Sequence, residues 1–362
     1  MDLGFIPSKD TKIRFSLEPA YNAACSLTLL SEDVGGIDDW VNQTAAQFSP
    51  EERRTNELLV SVLHTQLDGR EWPSFPALVD DLASRTPEQI KAQFLDGVIE
   101  FIGKPHDATG GDIDWPHILS DRDRFIALYQ QVMQAKGEMV DCEDWCNAFF
   151  DLLQRDAADL QADLVDYLRC MWDTYLAAEW EHRLPLLRES IAAFESLDLS
   201  TLTTGEAVRR IIGRDEPQEW RNWRDGLDEI IFIPSPHIGP YVLLINHTET
   251  SARIVFGARI PEGAAVRSST LSRSDLFNRL EALADDTRLR ILEFVALEGE
   301  QGAKDIMDRF DLSKSAASRH LRQLTANGYL IVRQQDVSKY YRLNPNRIDE
   351  AWRMLKAFLQ LP

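Results

Sequence analysis

The sequence predicts a mainly α fold of the α+β type, and three observations carry that prediction. Apolar residues recur at helical spacing from Arg14 to about Gly226, three short β-branched runs follow between residues 229 and 256, and residues 274–362 read as short helices closed by a basic hairpin. A chain of 362 residues is also too long for one small core, so more than one domain is expected.

Between Arg14 and Gly226 a pair of helix starts is explicit. Ser49-Pro-Glu-Glu52 and Thr86-Pro-Glu-Gln89 each set a hydroxyl at the cap, proline at the first helical position and Glu or Gln at the third. Leu58, Leu59, Val62 and Leu63 continue the first at helical spacing, and Ile90, Phe94, Val98 and Ile102 the second. Lys104 to Pro116, with Gly110-Gly111 and two prolines, reads as a loop. Further helices are expected over Asp121–Lys136, Asp141–Gln154 and Asp156–His182, with a disturbance at Pro185. No repeat of fixed period is present, which argues against a solenoid.

Glu229–Ile233, Tyr241–Ile245 and Ala252–Phe256 are β-branched and separated by Pro234-Ser-Pro-His-Ile-Gly-Pro240 and Asn246-His-Thr-Glu-Thr250. Three such strands in succession predict a small antiparallel β-meander with at least one buried face. Pro261–Ala265 and the Ser/Thr/Arg run Ser268–Ser274 read as a linker. The expected division is 1–260, a helical domain with the terminal β-meander that senses an input or shapes a dimer; 261–273, a linker; and 274–362, a C-terminal module.

In that module Leu276, Leu280, Leu283 and Ala284 form one helical stripe, Leu289 to Leu297 supply the next, and Ala303, Ile306, Met307 and Phe310 give a third helix. Asp311-Leu-Ser313 turns tightly into Leu312-Ser-Lys-Ser-Ala-Ala-Ser-Arg-His-Leu-Arg-Gln-Leu324. Ala317, Leu321 and Leu324 make an apolar edge there, while Lys314, Ser315, Ser318, Arg319 and Arg322 project from the remaining surface. Alone, this stretch fits a solvated amphipathic helix as well as one that touches a polyanion. Its context is more informative, because two short helices joined by a three-residue turn form a helix-turn-helix whose second member reads the groove. Tyr329–Gln335 and Lys339–Leu343 then flank Asp336-Val-Ser338 as a hairpin, a wing placed to rest on the sugar-phosphate backbone. The expected DNA contacts are Ser313, Lys314, Ser315, Ala316, Ser318, Arg319, His320 and Arg322 on the reader helix 313–325, with Arg333, Lys339 and Tyr340 on the wing 330–343; guanidinium groups there can reach phosphate or the paired acceptors of guanine.

The net charge of −20 runs against nucleic-acid binding until it is divided along the chain. From Arg273 onward 15 Lys and Arg meet 13 Asp and Glu, leaving 24 against 46 in the rest. Between Leu312 and Pro345 six basic residues face Asp336 alone. A local basic surface therefore survives at the end of an acidic protein.

Leu283-Ala-Asp-Asp-Thr-Arg-Leu-Arg-Ile-Leu292, Leu312-Ser-Lys-Ser-Ala-Ala-Ser-Arg-His-Leu321 and the wing, in this order and spacing, resemble the winged helix-turn-helix of the ArsR family of bacterial transcriptional regulators. The resemblance covers about Ser274 to Leu361. It implies a DNA-binding regulator, a repressor by type, acting as a homodimer built from the first and last helices of the module, Leu276–Ala284 and Arg347–Leu359, on a near-palindromic operator. Ala351, Leu355 and Phe358 give the last helix a suitable apolar edge. The rest of the chain resembles, in less detail, the uncharacterised helical domains that precede this module in some long members, which specifies no ligand. A degenerate winged helix used to bind another protein, on an acidic helical scaffold, is the competing expectation.

Members of the family sense metals through Cys pairs on the helix before the reader or through His and Asp on the last helix. Here those positions hold Lys304-Asp-Ile-Met-Asp-Arg309 and Asp349-Glu-Ala-Trp-Arg353, with no Cys or His in either, so no metal or other cofactor is expected there. Cys142 and Cys146 lie four apart on a helix, a spacing that permits a two-ligand or redox site, but without local company they read as buried apolar residues. His237 and His247 flank the second strand and read as structural. Trp40, Trp72, Trp115, Trp145, Trp172, Trp180, Trp220 and Trp223 supply core contacts, or the walls of an effector pocket for a small molecule or protein signal. No phosphate loop, nucleophile elbow or His-Glu-x-x-His pattern occurs, so catalysis is not expected. Four scattered cysteines, with no run of 18 apolar residues and no apolar leader, predict a cytoplasmic protein away from membranes.

Overall fold

The computed structural model describes residues 11–361 apart from positions 33, 62, 104–113, 136–142, 218–219, 222, 262–263, 265–267 and 336–337. The expected Gly110-Gly111 loop and Cys142 lie outside the described residues. The elements begin with β1 (Lys12–Phe15), α1 (Pro19–Leu29), α2 (Asp39–Ala45), α3 (Pro50–Val60), α4 (Leu63–Gln66), α5 (Phe75–Ser84), α6 (Pro87–Gly103), α7 (Trp115–Leu119), α8 (Arg122–Ala135), α9 (Glu143–Gln154), α10 (Ala157–Met171), a π turn over Trp172–Leu176, α11 (Ala177–Glu195) and α12 (Thr204–Ile212). They continue with β2 (Glu229–Ser235), β3 (Val242–His247), β4 (Ser251–Gly257), α13 (Ser269–Leu283), α14 (Asp286–Glu298), β5 (Gln301–Gly302), α15 (Ala303–Phe310), α16 (Lys314–Ala326), β6 (Leu330–Gln335), β7 (Ser338–Leu343) and α17 (Pro345–Phe358). Two compact units result, one of Met1–Leu17, Glu32–Gln43 and Trp180–Pro362, the other of Glu18–Ser31 and Thr44–Glu179.

The described residues of the second unit form helices and their connections. Both expected capping boxes close: Ser49 Oγ accepts from the Glu52 N–H at 3.1 Å while the Glu52 carboxylate accepts from the Ser49 N–H at 2.8 Å, and Thr86 and Gln89 repeat the exchange. Tyr21, Leu27, Phe75, Phe94 and Phe125 are fully buried, and α10 packs on α5 and α6. Asn56, also buried, donates to the Leu27 carbonyl at 2.8 Å, which satisfies an amide that would otherwise be stranded in an apolar core. Cys146 is buried on α9.

The first unit contains the sheet and the C-terminal module. α11 runs on through Pro185, because losing one N–H from the ladder leaves its buried face of Leu187, Ser190, Ala193 and Phe194 intact. The sheet has strand order β1-β2-β4-β3. It corrects the meander expectation: β2 pairs with β4 in parallel, β3 is antiparallel to β4 at the edge, and β1 adds a fourth strand parallel to β2. The proline-rich connection 236–241 is long enough to carry the chain past the β4 position, so only the short β3–β4 turn makes a hairpin. Placing β2 and β4 at the centre explains why both are buried almost continuously. Phe194, Val208 and Ile211 cover the sheet through Ile230, Phe232, Ile254 and Phe256, and Phe15 stacks on Phe194 with ring centroids 5.3 Å apart. The buried His237 stacks on Trp40 at 4.5 Å.

Two glycines hold the loops of this sheet together. A Cβ on Gly239 (φ +60°) would lie 1.9 Å from the Gly36 carbonyl oxygen, and one on Gly257 would lie 2.0 Å from that of Gly239. Backbones can approach so closely only where side chains are missing. The segment from Glu32 to Gln43 is thereby pressed onto the end of the sheet.

The C-terminal module has its own core of Ile291, Leu292, Val295, Ile306, Leu321, Leu324, Tyr329, Leu330 and Tyr341. The Ser268–Ser274 run, expected as linker, instead opens α13: Ser268 Oγ accepts from the Leu271 N–H at 3.3 Å, an N-cap that turns the hydroxyl-rich segment into a helix start. The wing is one strand wider than expected, since Gln301-Gly302 pairs with Tyr340-Tyr341 to give the order β5-β7-β6.

Candidate nucleic-acid interface

The signature Leu283 to Leu292 folds as a corner between α13 and α14. Asp285 Oδ1 caps α14 by accepting from the Arg288 N–H at 2.8 Å, and Arg288 reaches back to donate from Nε to the Ala282 carbonyl and from Nη2 to that of Glu281, both at 2.7 Å. One residue thus satisfies the open carbonyls of α13 while its own backbone starts α14. The helix-turn-helix corner is built with equal economy. Asp311 adopts the left-handed conformation (φ 52°) that ends α15, and Ser313 Oγ accepts from the Ala316 N–H at 3.2 Å to begin α16.

α16 presents two faces. Ala317, Leu321 and Leu324 are buried, and sealing each of the two leucines contributes about 1.5–3 kcal/mol to the packing. Lys314, Ser315, Ser318 and Arg319 are exposed along the first two turns, with Ala316 half-buried between them. Ser313 is exposed but its hydroxyl is used by the cap and by Ser315 Oγ at 3.1 Å. His320 does not join the exposed row. Its Nδ1 lies 3.7 Å from Asp285 Oδ1, and burial holds its pKa below the ordinary value, with Arg288 and Arg319 acting in the same direction and Asp285 opposing. Arg322 is exposed and ion-paired with Glu32 at 3.3 Å.

The C-terminal end of α16 is braced from below. Arg347 of α17 donates from Nε to the Asn327 carbonyl at 2.6 Å, Asn344 donates to that of Gly328 at 2.9 Å, and the Tyr329 hydroxyl donates to the Arg279 carbonyl at 3.0 Å. On its other side Gly35 fits against Gln323, where a Cβ would meet the Gln323 Oε1 at 2.9 Å, and the Tyr241 hydroxyl donates to the Gly35 carbonyl at 2.6 Å.

The wing divides the three residues expected there. In the β6–β7 register Arg333 is opposite Tyr340 and Ile331 opposite Arg342, so Arg333, Tyr340 and Arg342 share one face while Lys339 lies on the other. Arg333 is also engaged: its guanidinium meets both oxygens of Glu300 at 3.3 and 2.7 Å and lies 5.3 Å from the Tyr340 ring. That pairing holds the Glu300 carboxyl below its usual range. Arg342, exposed on the Arg333 face, was not singled out in the sequence, although its alternation with Tyr340 along β7 was the available signal.

A family model described as "Bacterial regulatory protein, arsR family" matches residues 285–332, from the cap of α14 into β6. The C-terminal region is similar to the arsenic resistance transcriptional regulator ArsR2 of Pseudomonas putida, 39% identical over 80 residues that make 22% of this chain and 70% of the relative. The chain belongs to the ArsR family. Other relatives of this ArsR-family chain are the arsenical resistance operon repressor of Escherichia coli (40% identical over 78 residues, 20% of this chain and 67% of the relative) and the CadC homolog, a cadmium resistance transcriptional regulatory protein of Staphylococcus aureus (34% over 85 residues, 24% and 69%). The relatives are transcriptional regulators, and the C-terminal module is that of a DNA-binding regulator. No solved structure matches the chain. Among the described residues no helix is long and apolar enough to cross a membrane.

Proposed function

We propose that this ArsR-family regulator is a repressor that binds a near-palindromic operator as a homodimer, with α16 in the major groove and the β6–β7 wing on the adjacent backbone. The observation that carries this reading is the division of α16: the apolar edge is sealed into the module, while Lys314, Ser315, Ser318 and Arg319 stand open on the first two turns, which enter the groove in this class of motif. Short side chains at that end let the backbone approach base edges, and Arg319 supplies the fork for guanine or phosphate. On the wing we take Tyr340, with Arg333 exchanging Glu300 for phosphate, to meet the backbone from one face, and Lys339 to meet it from the tip on the other.

The dimer reading is supported by α13 and α17. Phe277 is 59% exposed, Phe358 52% and Leu359 53%, an amount of apolar surface that a partner would cover. We assign residues 274–362 to DNA binding and residues 1–260 to sensing an input or setting dimer geometry. The arsenic and cadmium responses in the relatives' names do not transfer by thiolate chemistry, since the segments 304–309 and 349–353 contain no Cys.

An electrophoretic shift assay on the protein's own promoter region tests the reading. A retarded band at low salt that is competed by specific but not random duplex is expected, and absence of any shift at low salt overturns it. The alternative, a winged helix turned to protein binding, draws on the contact of Glu32 with Arg322. That contact reaches only the last turns of α16 and leaves Lys314, Ser315, Ser318 and Arg319 exposed, which favours DNA.

A further inference from the structure

A second concave site lies away from the reader helix, lined by the end of α12, by Arg259 and Ile260, and by α13 and α17, with a volume of about 450 Å³. Its inner side carries Arg259, Arg279 and Arg347 together with Asp275 and Glu350. Arg209, Arg210 and Arg353 line it further out, the last two exposed. Six guanidinium groups therefore share the cavity lining with two carboxylates, and Arg209 also lies 3.9 Å from Glu216 outside that lining.

Both carboxylates are already committed. Asp275 accepts twice from Arg279, at 3.2 and 3.1 Å, and Glu350 accepts from Arg279 at 3.4 Å and from Arg347 at 2.8 Å. The Arg259 guanidinium instead donates to the Ile211 carbonyl and lies 5.7 Å from the Phe194 ring. The Arg259 pKa is lowered to about 10, chiefly by burial, with Arg347 and Arg279 acting the same way and Asp275 and Glu350 opposing. Arg347 is lowered by burial and then by Arg279. Clustering like charges in a partly buried cavity is costly, and an anion that enters it removes that cost. Guanidinium forks match phosphate oxygens in pairs, and the volume falls in the range of small-metabolite sites.

We propose that this arginine-lined cavity is a binding site for a small phosphorylated anion carrying at least two negative charges. Through Arg347, which holds the Asn327 carbonyl at the end of α16, occupancy is transmitted to the reader helix. The transmission rests on the proposed role of α16; the binding does not.

Isothermal titration calorimetry of the full chain with inorganic pyrophosphate, in a phosphate-free low-salt buffer, tests the site. Saturable binding at one site per chain is expected. The double variant Arg210→Gln/Arg353→Gln, which alters only exposed side chains, should weaken it about tenfold or more. Arg188→Gln, which removes one positive charge from an exposed position on α11 outside the cavity, should leave it unchanged. No saturable binding by the unaltered chain, equal affinity in the double variant, or equal weakening by Arg188→Gln overturns the proposal. Citrate binding as tight as pyrophosphate would assign a carboxylate ligand and overturn the phosphate assignment. Operator affinity measured with and without pyrophosphate separates the two readings. DNA binding without pyrophosphate binding refutes the cavity alone, and pyrophosphate binding without DNA binding refutes the role of α16 alone. Both bindings, with operator affinity unchanged by pyrophosphate, refute the transmission.

Discussion

Arg322 of the reader helix is held by Glu32, Nη2 to Oε2 at 3.3 Å, although 290 residues separate them in the chain. The pair is about half exposed on both sides, a setting in which ion pairs are worth up to about 1 kcal/mol. Glu32→Gln should therefore release Arg322, remove a negative charge from the vicinity of DNA, and tighten operator binding about two- to fivefold. Fluorescence anisotropy at two salt concentrations reads this directly. Unchanged affinity at both would mean that Arg322 makes no contact with the duplex.

Arg319 and Lys339 should fail differently when replaced. Arg319→Ala should cost about 1–3 kcal/mol on the operator and much less on random duplex, because a base-reading fork is lost. Lys339→Ala should weaken both duplexes alike and reduce the salt slope by about one. Loss of discrimination with Lys339→Ala rather than Arg319→Ala would reverse their assigned positions.

His320 gives the fold a pH dependence of predictable sign. Its pKa is held below 6.5 chiefly by burial, so the folded chain binds fewer protons there than the unfolded chain. The stability this contributes is complete above pH 6.5 and is lost as pH falls from that value through the lower folded pKa. Burial pushes Asp275 and Glu350 up, but the guanidinium groups around them outweigh it; their contributions are present above the ordinary 3.8 and 4.5 and vanish as pH falls below those values. On acidification the His320 window opens first, at pH 6.5. Melting curves of His320→Gln should lose the decline in Tm just below pH 6.5 and keep the one in the carboxylate range. An identical upper decline in both proteins would exclude His320 as its source.

Phe277→Asp combined with Phe358→Asp should convert a dimer into monomers in analytical ultracentrifugation, since a charge on either exposed ring position cannot be buried without a partner. Operator binding should fall with it. A variant that remains dimeric would place the interface elsewhere.

How much could be read in advance depended on the range of the interactions. Ser49, Thr86 and the Asp311–Ser313 corner were legible because caps and turns are decided by residues within three or four positions. α16 was legible for the same reason, since its apolar edge and its exposed basic row alternate at helical spacing. β1 was missed although Lys12-Ile-Arg-Phe15 alternates with period two, because four residues carry little periodic signal and the partner β2 is far away. The parallel pairing of β2 and β4 was hidden likewise, since strand order depends on where the connection lands and not on the strands themselves. At the candidate site the sequence marked His320 on the reader helix and Arg333 on the wing as DNA contacts, but no local pattern shows that Asp285 and Glu300 face them.

The discontinuous make-up of the first unit orders its own synthesis. β1 is complete by residue 15, but β2, beside which it lies in register from Lys12 opposite Glu229, begins 217 residues after Lys12. At about 5–20 residues per second the ribosome needs roughly 10–40 s to supply that partner. The whole of Thr44–Glu179 is made within the interval and can fold while β1 waits. A nascent chain halted before Glu229 therefore carries β1 unpaired, an open template for the wrong neighbour until β2 has emerged.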